Sequence, residues 1–293
     1  MFDLHTHTHN SDGLLSPEEL LHKAAGLGLR GVVITDHSQV TYDLELRVLA
    51  VALNVRLPFP GAEVSTTFEG KKYHLLTYGL GIMDTEFLDY IFKPSRLKND
   101  IYLEVITELG RRGYTLPSTT QMLSGYDPSS GRTRHPNKRL LSNSLISHHL
   151  SIYNDVPPDA AKSLVRALYD KWEDPASERY LQTTEVLRHA HDCGALIAVA
   201  HPWWECSSKG LSRETIVRDL ITFKELGLTG FETASRHYSD SQNEADYELS
   251  LRLDLFPFRG SDFHDESRSR LGQFTINDEE MDSLMQIAER GRL

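Results

Sequence analysis

Gly31-Val32-Val33-Ile34-Thr35-Asp36-His37 decides the fold class. Its β-branched apolar run lacks polar alternation, the pattern of a strand buried on both faces of a parallel sheet, and it ends in Asp-His. Upstream, Ser16-Pro17-Glu18-Glu19 is a capping box with Pro at the first helical position. Leu20, Leu21, Ala24, Ala25 and Leu27 follow at helical spacing, with Gly28 as the stop. Further back lies the opening run Phe2-Asp3-Leu4-His5-Thr6-His7-Thr8-His9-Asn10-Ser11-Asp12-Gly13. It reads as a strand whose His5 and His7 imidazoles emerge on one face, a spacing that chelates one metal ion. Ser11-Asp12-Gly13 is turn chemistry that can fold Asp12 back toward the same place.

Downstream, an amphipathic stretch covers Leu44 to Leu53, Pro60-Gly61-Ala62-Glu63-Val64-Ser65 delivers a carboxylate, and Lys72 to Tyr78 alternates and carries His74. From Phe92 to about Tyr180 the periodicity is helical without strands, with Pro, Gly and Ser clusters at Ser124 to Gly131 and Val156 to Pro158. Helix and strand then alternate again. Thr184 to Cys193 is a helix closed by Gly194, and Ala195 to Pro202 is a strand ending in His201-Pro202. Ser212 caps a helix stopped by Gly227, Gly230 to Ser235 is a strand, and a helix around Glu244 to Leu253 leads to Arg259-Gly260-Ser261-Asp262-Phe263-His264. Asn277 opens the final helix.

At 293 residues the chain accommodates one large domain with an insertion. A formal charge of −11 disfavours duplex nucleic acid or an anionic membrane as the main partner, since both need a basic face. Two cysteines cannot make a disulfide framework, and no signal segment or long apolar span is evident. The expectation is a cytoplasmic protein. The architecture expected is α/β, a barrel of seven strands alternating with helices over residues 1–92 and 181–293, with a helical insertion (cap) domain at 93–180. In a parallel barrel the carboxyl ends of the strands converge on one face. His5, His7, Asp12, His37, Glu63, His74, His201, Asp262 and His264 would therefore meet in space.

Together D-L-H-x-H-x-x-x-S-D-G, I-T-D-H, G-x-E-V-S, H-x-L-x-Y-G, A-H-P and G-S-D-F-H resemble the polymerase and histidinol phosphatase (PHP) family. The resemblance implies a distorted (β/α)7 barrel holding two or three divalent ions, usually manganese, iron or zinc. Carried over by motif, His5, His7, Glu63 and Asp262 would hold one ion. Glu63 would bridge to a second with His74 and His201, and Asp12, His37 and His264 would hold a third. The mixed imidazole and carboxylate set independently favours these metals over calcium or magnesium. Within the family the chain is similar to stand-alone phosphoesterases acting on nucleoside 3′,5′-bisphosphates or on the 5′ ends of short RNA. Their insertion carries a G-R-x-H-x-x-[RK] stretch. Gly131-Arg132-Thr133-Arg134-His135-Pro136-Asn137-Lys138 is one residue longer between Arg132 and His135. Where relatives often show a small residue and Arg after A-H-P, this chain has Trp203-Trp204.

The implied reaction is hydrolysis of phosphate monoesters by a hydroxide bridging the ions, since paired divalent ions lower the pKa of bound water toward about 7. Arg132, Arg134, His135 and Lys138 are the cationic or polar groups expected on the phosphate, Arg suiting bidentate contact. His237 is the expected leaving-group acid, while Trp203 and Trp204 could stack a base. Glu232 reads as structural. The expected partner is a small phosphorylated substrate rather than duplex nucleic acid. Histidinol phosphate is the runner-up substrate, although its phosphatases usually show P-H-G and T-E-H where this chain has Ser11-Asp12-Gly13 and Thr35-Asp36-His37. A carbon–nitrogen hydrolase would typically bridge its metals with a modified lysine, where this chain has Glu63. A non-catalytic metal- or nucleotide-binding module would be expected to have lost ligands, and none is missing.

Overall fold

The computed structural model describes residues 1–123, 126–127, 132–133, 141–172, 181–204 and 210–290. The strands are β1 (Phe2–Thr6), β2 (Gly31–Ile34), β3 (Gly61–Phe68), β4 (Lys71–Tyr78), β5 (Tyr126–Asp127), β6 (Arg132–Thr133), β7 (Leu181–Gln182), β8 (Leu196–Val199), β9 (Gly230–Glu232) and β10 (Phe256–Phe258). The helices are α1 (Pro17–Gly26), α2 (Leu44–Ala52), α3 (Thr85–Arg111), α4 (Thr119–Leu123), α5 (Asn143–Asn154), α6 (Pro158–Trp172), α7 (Thr183–Asp192), α8 (Arg213–Glu225), α9 (Asp240–Arg252) and α10 (Asp278–Arg290). Among the described residues no helix is long and apolar enough to cross a membrane.

The chain divides into two compact units, Met1–Ile91 with Tyr180–Leu293, and Phe92–Arg179. In the first, β1 and β2 pair in parallel, and a six-stranded sheet runs β10-β9-β8-β4-β3-β7. Most of its strand pairs are parallel, but β4 lies antiparallel to both β3 and β8. Strict helix–strand alternation therefore fails here. Glu69 and Gly70 both take positive φ, 49° and 75°, and close a two-residue hairpin between β3 and β4 with no intervening helix. His74 consequently sits within an antiparallel strand, not at the carboxyl end of a parallel one.

Isolated parallel bridges join the two sheets, Thr6 to Phe263 and His37 to Glu63. Period-two burial then builds two layers of core. Leu4, Val33, Leu76, Tyr78, Ala198 and Phe258, from five strands, pack in one cluster with Met281 and Leu284 of α10. The alternate side chains face helices instead: Val32 and Ile34 meet α1 and α2, while Leu75, Ile197 and Val199 meet α7 and α8. Burial on both strand faces, expected for Gly31 to Ile34, holds for β2 and β8 throughout.

Local signals explain the helix ends. Ser16 caps α1 in a complete capping box, and Ser239 caps α9 with Gln242 reciprocating. Gly28, Gly194 and Gly227 take positive φ just past their helices. The second unit is helical around its own core of Val105, Leu109, Leu145, Ile146, Val165 and Leu168. Among the described residues, its expected lack of strands meets one exception, the two-residue antiparallel ladder of β5 and β6.

One close approach positions the first strand. A Cβ built on Gly260 would lie 2.3 Å from the His5 Cβ and 2.5 Å from its backbone nitrogen. Overpacking of this kind typically costs about 1–3 kcal/mol. Gly260→Ala is expected to lower Tm by roughly 2–12 °C and to reduce manganese content, measured by calorimetry and elemental analysis.

Candidate metal centre

The opening strand does not run straight into the site. Its pairing with β2 shifts register between Asp3 and Thr6. Asp3, fully buried, accepts hydrogen bonds from the backbone N–H groups of His5, Ser261 and Gly272 and from the Ser261 hydroxyl. Burial raises its carboxyl to about 6 against those four bonds. Asp3 thereby ties the His5 strand to the loop that carries Asp262. Asp36 does the same for the following turn, accepting from Thr8 N–H and Oγ1 and from the hydroxyls of Ser11 and Thr41. Those bonds fold the chain from Thr8 to Gly13 back on itself, so His7 and Asp12 face a common point.

The donors converge on Glu63, which is 1 % exposed. Its Oε2 lies 3.3 Å from His5 Nε2, 3.1 Å from His7 Nε2 and 3.2 Å from His37 Nδ1. Its Oε1 lies 2.9 Å from His74 Nδ1 and 3.3 Å from His201 Nε2. Asp262 Oδ1 is 3.4 Å from His5 Nε2 and 3.3 Å from His7 Nε2. Asp12 Oδ1 is 3.2 Å from His264 Nε2 and 3.7 Å from His37 Nε2. Three groups have donor atoms within 4.8 Å of one another and could each hold an ion: His5, His7 and Glu63; Glu63, His74 and His201; and His7, Asp12, His37 and His264. All nine side chains expected to meet are thus together. The partition differs in two respects: His7 joins both the first and third groups, and Asp262, expected with the first, lies beside His5 and His7 without belonging to any of the three.

Burial and charge compete in this cluster. Burial pulls His5 and His7 toward the neutral form, but the carboxylates of Glu232, Glu63 and Asp262 outweigh it for His5 and those of Asp262 and Glu63 for His7. The His7 imidazole is held at about 10, and His5 also lies well above its usual value. Burial would raise Glu63, yet His37, His5 and His74 hold it well below the carboxylate range. Protons therefore balance the carboxylates where no ion does, and a divalent ion must displace them. The donor chemistry fits such ions: neutral imidazole and carboxylate in mixed sets suit manganese, iron or zinc.

Backbone strain marks the same place. Ser38, His201 and Asp262 adopt positive φ of 46°, 28° and 49° without being glycine. Such conformations persist where surrounding structure over-determines them, and they cluster at functional sites.

Glu232 has a larger part than its structural reading implies. Its Oε1 lies 2.9 Å from His5 Nδ1, and its Oε2 accepts the His201 backbone N–H at 2.8 Å. A carboxylate behind a ligating imidazole fixes the ring and its tautomer.

The remaining expected residues fall differently. Trp203 packs into the core, edge-on to Phe231 with the Arg213 guanidinium 4.2 Å from its ring, and so does not offer a free face. Trp204 is 45 % exposed, its ring 5.0 Å from His237 at 21° and 5.9 Å from His201. His237 is exposed, and its Nε2 accepts from Arg236 Nε at 3.1 Å. Burial and the Arg236 charge lower its pKa. With Nε2 accepting from Arg236, that nitrogen is not placed here as the proton donor expected of His237. Arg134, His135 and Lys138 lie outside the described residues, as does the side chain of Arg132, whose backbone forms β6. Arg236, Asp36 and Asp3 contribute without having been singled out by the sequence. Asp3 and Asp36 stand inside the D-L-H and T-D-H motifs, where their adjacency to histidines is the available signal; Arg236 carries none.

Comparison with known proteins places the chain's similarities among phosphoesterases and nucleases. Residues 3–108 match the PHP domain. It is 22 % identical over 263 residues to a 5′-3′ exoribonuclease of Haemophilus influenzae, covering 90 % of this chain and 89 % of that one. It is 26 % identical over 274 residues to a 3′,5′-nucleoside bisphosphate phosphatase of Chromobacterium violaceum, covering 89 % and 86 %. A solved Bifidobacterium adolescentis structure, assigned as a metal-dependent phosphoesterase, shares the fold with a TM-score of 0.73 at 20 % identity, covering 98 % of this chain and 96 % of that one.

Removing the support behind His5 tests the second layer of the site. Glu232→Gln is expected to weaken manganese affinity about 10- to 100-fold, measured by competition with a chelating dye, while far-UV circular dichroism stays unchanged. Wild-type affinity would mean that Glu232 does not support His5.

Proposed function

We propose that this protein is a metal-dependent phosphoesterase that hydrolyses phosphate monoesters of small nucleotides, with nucleoside 3′,5′-bisphosphates as first choice and short 5′-phosphorylated oligonucleotides as second. The observation that carries the reading is the sharing of one buried carboxylate, Glu63, between two groups of donors, with a third group joined through His7. Relatives named for these two activities support the substrate class. We further read the strands as a distorted seven-stranded barrel with residues 93–180 as a helical insertion. The two bridges between the sheets and the core shared by five strands support that reading.

The ligands assigned are those of the sequence reading. His5, His7, Glu63 and Asp262 hold one ion, Glu63, His74 and His201 a second, and Asp12, His37 and His264 a third, the ions being manganese, iron or zinc. When bound, such ions supply positive charge to phosphoryl oxygens and make water acidic enough to attack near neutral pH. The protein's own groups position the substrate. Trp204 provides a partly exposed aromatic face beside His201 for a nucleobase, a contact worth about 1–3 kcal/mol. Arg132, Arg134 and Lys138 are the insertion cations the sequence offers for contact with the phosphate. An acidic chain lacks the extended basic track that long polyanions need, which favours small substrates.

Steady-state kinetics on adenosine 3′,5′-bisphosphate, a 5′-phosphorylated dinucleotide and histidinol phosphate, with manganese present, test the substrate. The expected order of kcat/KM is that order of naming, and Trp204→Ala is expected to raise KM for the nucleotides about 5- to 100-fold with less effect on p-nitrophenyl phosphate. A preference for histidinol phosphate would overturn the assignment.

Glu63→Gln tests the shared carboxylate. An amide cannot offset charge on two cations, so turnover is expected to fall at least about 1,000-fold together with loss of one or more ions per chain. Retention of wild-type metal content and rate would show that Glu63 is not a bridge.

A further inference from the structure

We infer that Arg236 is the guanidinium that binds the reacting phosphoryl group, a role that rests on the phosphoesterase reading and that the sequence alone assigns to the insertion arginines. Arg236 lies four residues beyond Glu232, on the segment leaving β9. That segment is held in place. Ser235 N–H donates to Asn243 Oδ1 at 3.2 Å, and His237 N–H donates to Ser235 Oγ at 3.3 Å. The side chain is largely covered, 20 % exposed, and its Nη2 lies 3.8 Å from Asp262 Oδ2.

The disposition of its donors is what points to a ligand. Nε is used, donating to His237. Nη2 is beyond hydrogen-bond distance of Asp262, close enough to be attracted and too far to be consumed. Nη1 is buried and meets no hydrogen-bond partner among the described residues. A buried charged donor without an acceptor is costly and is seldom kept without a function. The two Nη atoms form the fork that matches two oxygens of a phosphoryl group, and Arg suits this better than a point charge. Asp262 faces the fork with one oxygen while its other oxygen faces His5 and His7. A phosphoryl group reached by Arg236 is therefore next to the donor cluster. The His237–Trp204 stack flanks the same arginine, so the base-binding face proposed for Trp204 adjoins it.

The assignment also resolves the departure at Trp203-Trp204. The segment after Pro202 provides no cation in its first two residues, whereas the neighbouring segment after β9 brings one to the same edge of the site.

Binding of inorganic phosphate to the manganese-loaded protein, followed by titration calorimetry, tests this independently of any ester. Arg236→Ala is expected to weaken phosphate about 10- to 100-fold with unchanged manganese content and unchanged affinity for adenosine. Arg236→Lys, which keeps the charge without the fork, is expected to fall between the two, and it serves if the alanine variant folds poorly. Phosphate affinity within about twofold of wild type in both variants would overturn the inference. Loss of manganese in either would also overturn it, since Arg236 would then be acting on Asp262. A wild-type protein that binds phosphate but cleaves no ester would sink the phosphoesterase reading alone.

Discussion

A carboxylate with almost no access to water cannot stand ionised without cations around it, and Glu63 is such a carboxylate. Five imidazoles, from four segments of chain, approach its two oxygens. The fold can be understood as the means of holding those segments at that point. The His37–Glu63 bridge is a backbone pairing as well as a side-chain one, with Ser38 N–H donating to the Glu63 carbonyl at 2.7 Å. The link between β2 and β3 and the assembly of the site are therefore one event. Asp3 and Asp36 extend the same logic outward, each binding four donors so that the loops bearing Asp262 and Asp12 have little freedom.

Much of this was legible because strand ends have chemical consequences. Gly31 to His37 reads as a buried strand from residue type alone, and ligands terminating such strands converge whatever lies between them. His74 was legible as a ligand but not in its setting. The hairpin that reverses β4 uses Glu69-Gly70, and Glu in a left-handed conformation carries no strong turn signal, so the strand direction could not be read. The displacement of Trp203 into the core depended on Arg213 and Phe231, distant in sequence, and no local pattern separates it from Trp204. Arg236 illustrates the same limit: its position follows from where β9 ends relative to Asp262, a tertiary relation with no periodicity behind it.

Net charge and local charge pull in different directions here. The chain carries −11 formally, and its deepest cluster adds carboxylates of its own. A phosphate ester approaching such a surface is repelled unless cations are concentrated where it reacts, because charges at the surface are screened within roughly 10 Å while those in a covered site are not. Divalent ions supply the first part of that concentration. A guanidinium at the rim supplies the rest, and its value there is higher than on an exposed loop because it is already largely desolvated.

Under the proposed function, two separate parts of the structure would answer for chemistry and for choice of substrate. The proposed ligands sit on strands or on the turns that follow them, several tied in place by the hydrogen bonds of Asp3 and Asp36. Trp204, His237 and Arg236 sit on the segments that leave β8 and β9, and their mutual contacts are ring stacking and one hydrogen bond. Glu232 joins these layers, since one oxygen supports His5 while the other holds the His201 backbone from which Trp204 follows. On that proposal, a change at the wall would alter which ester is bound without disturbing the ions. A change at Glu232 cannot, because the same carboxylate positions a ligand ring and the start of the segment that carries the wall.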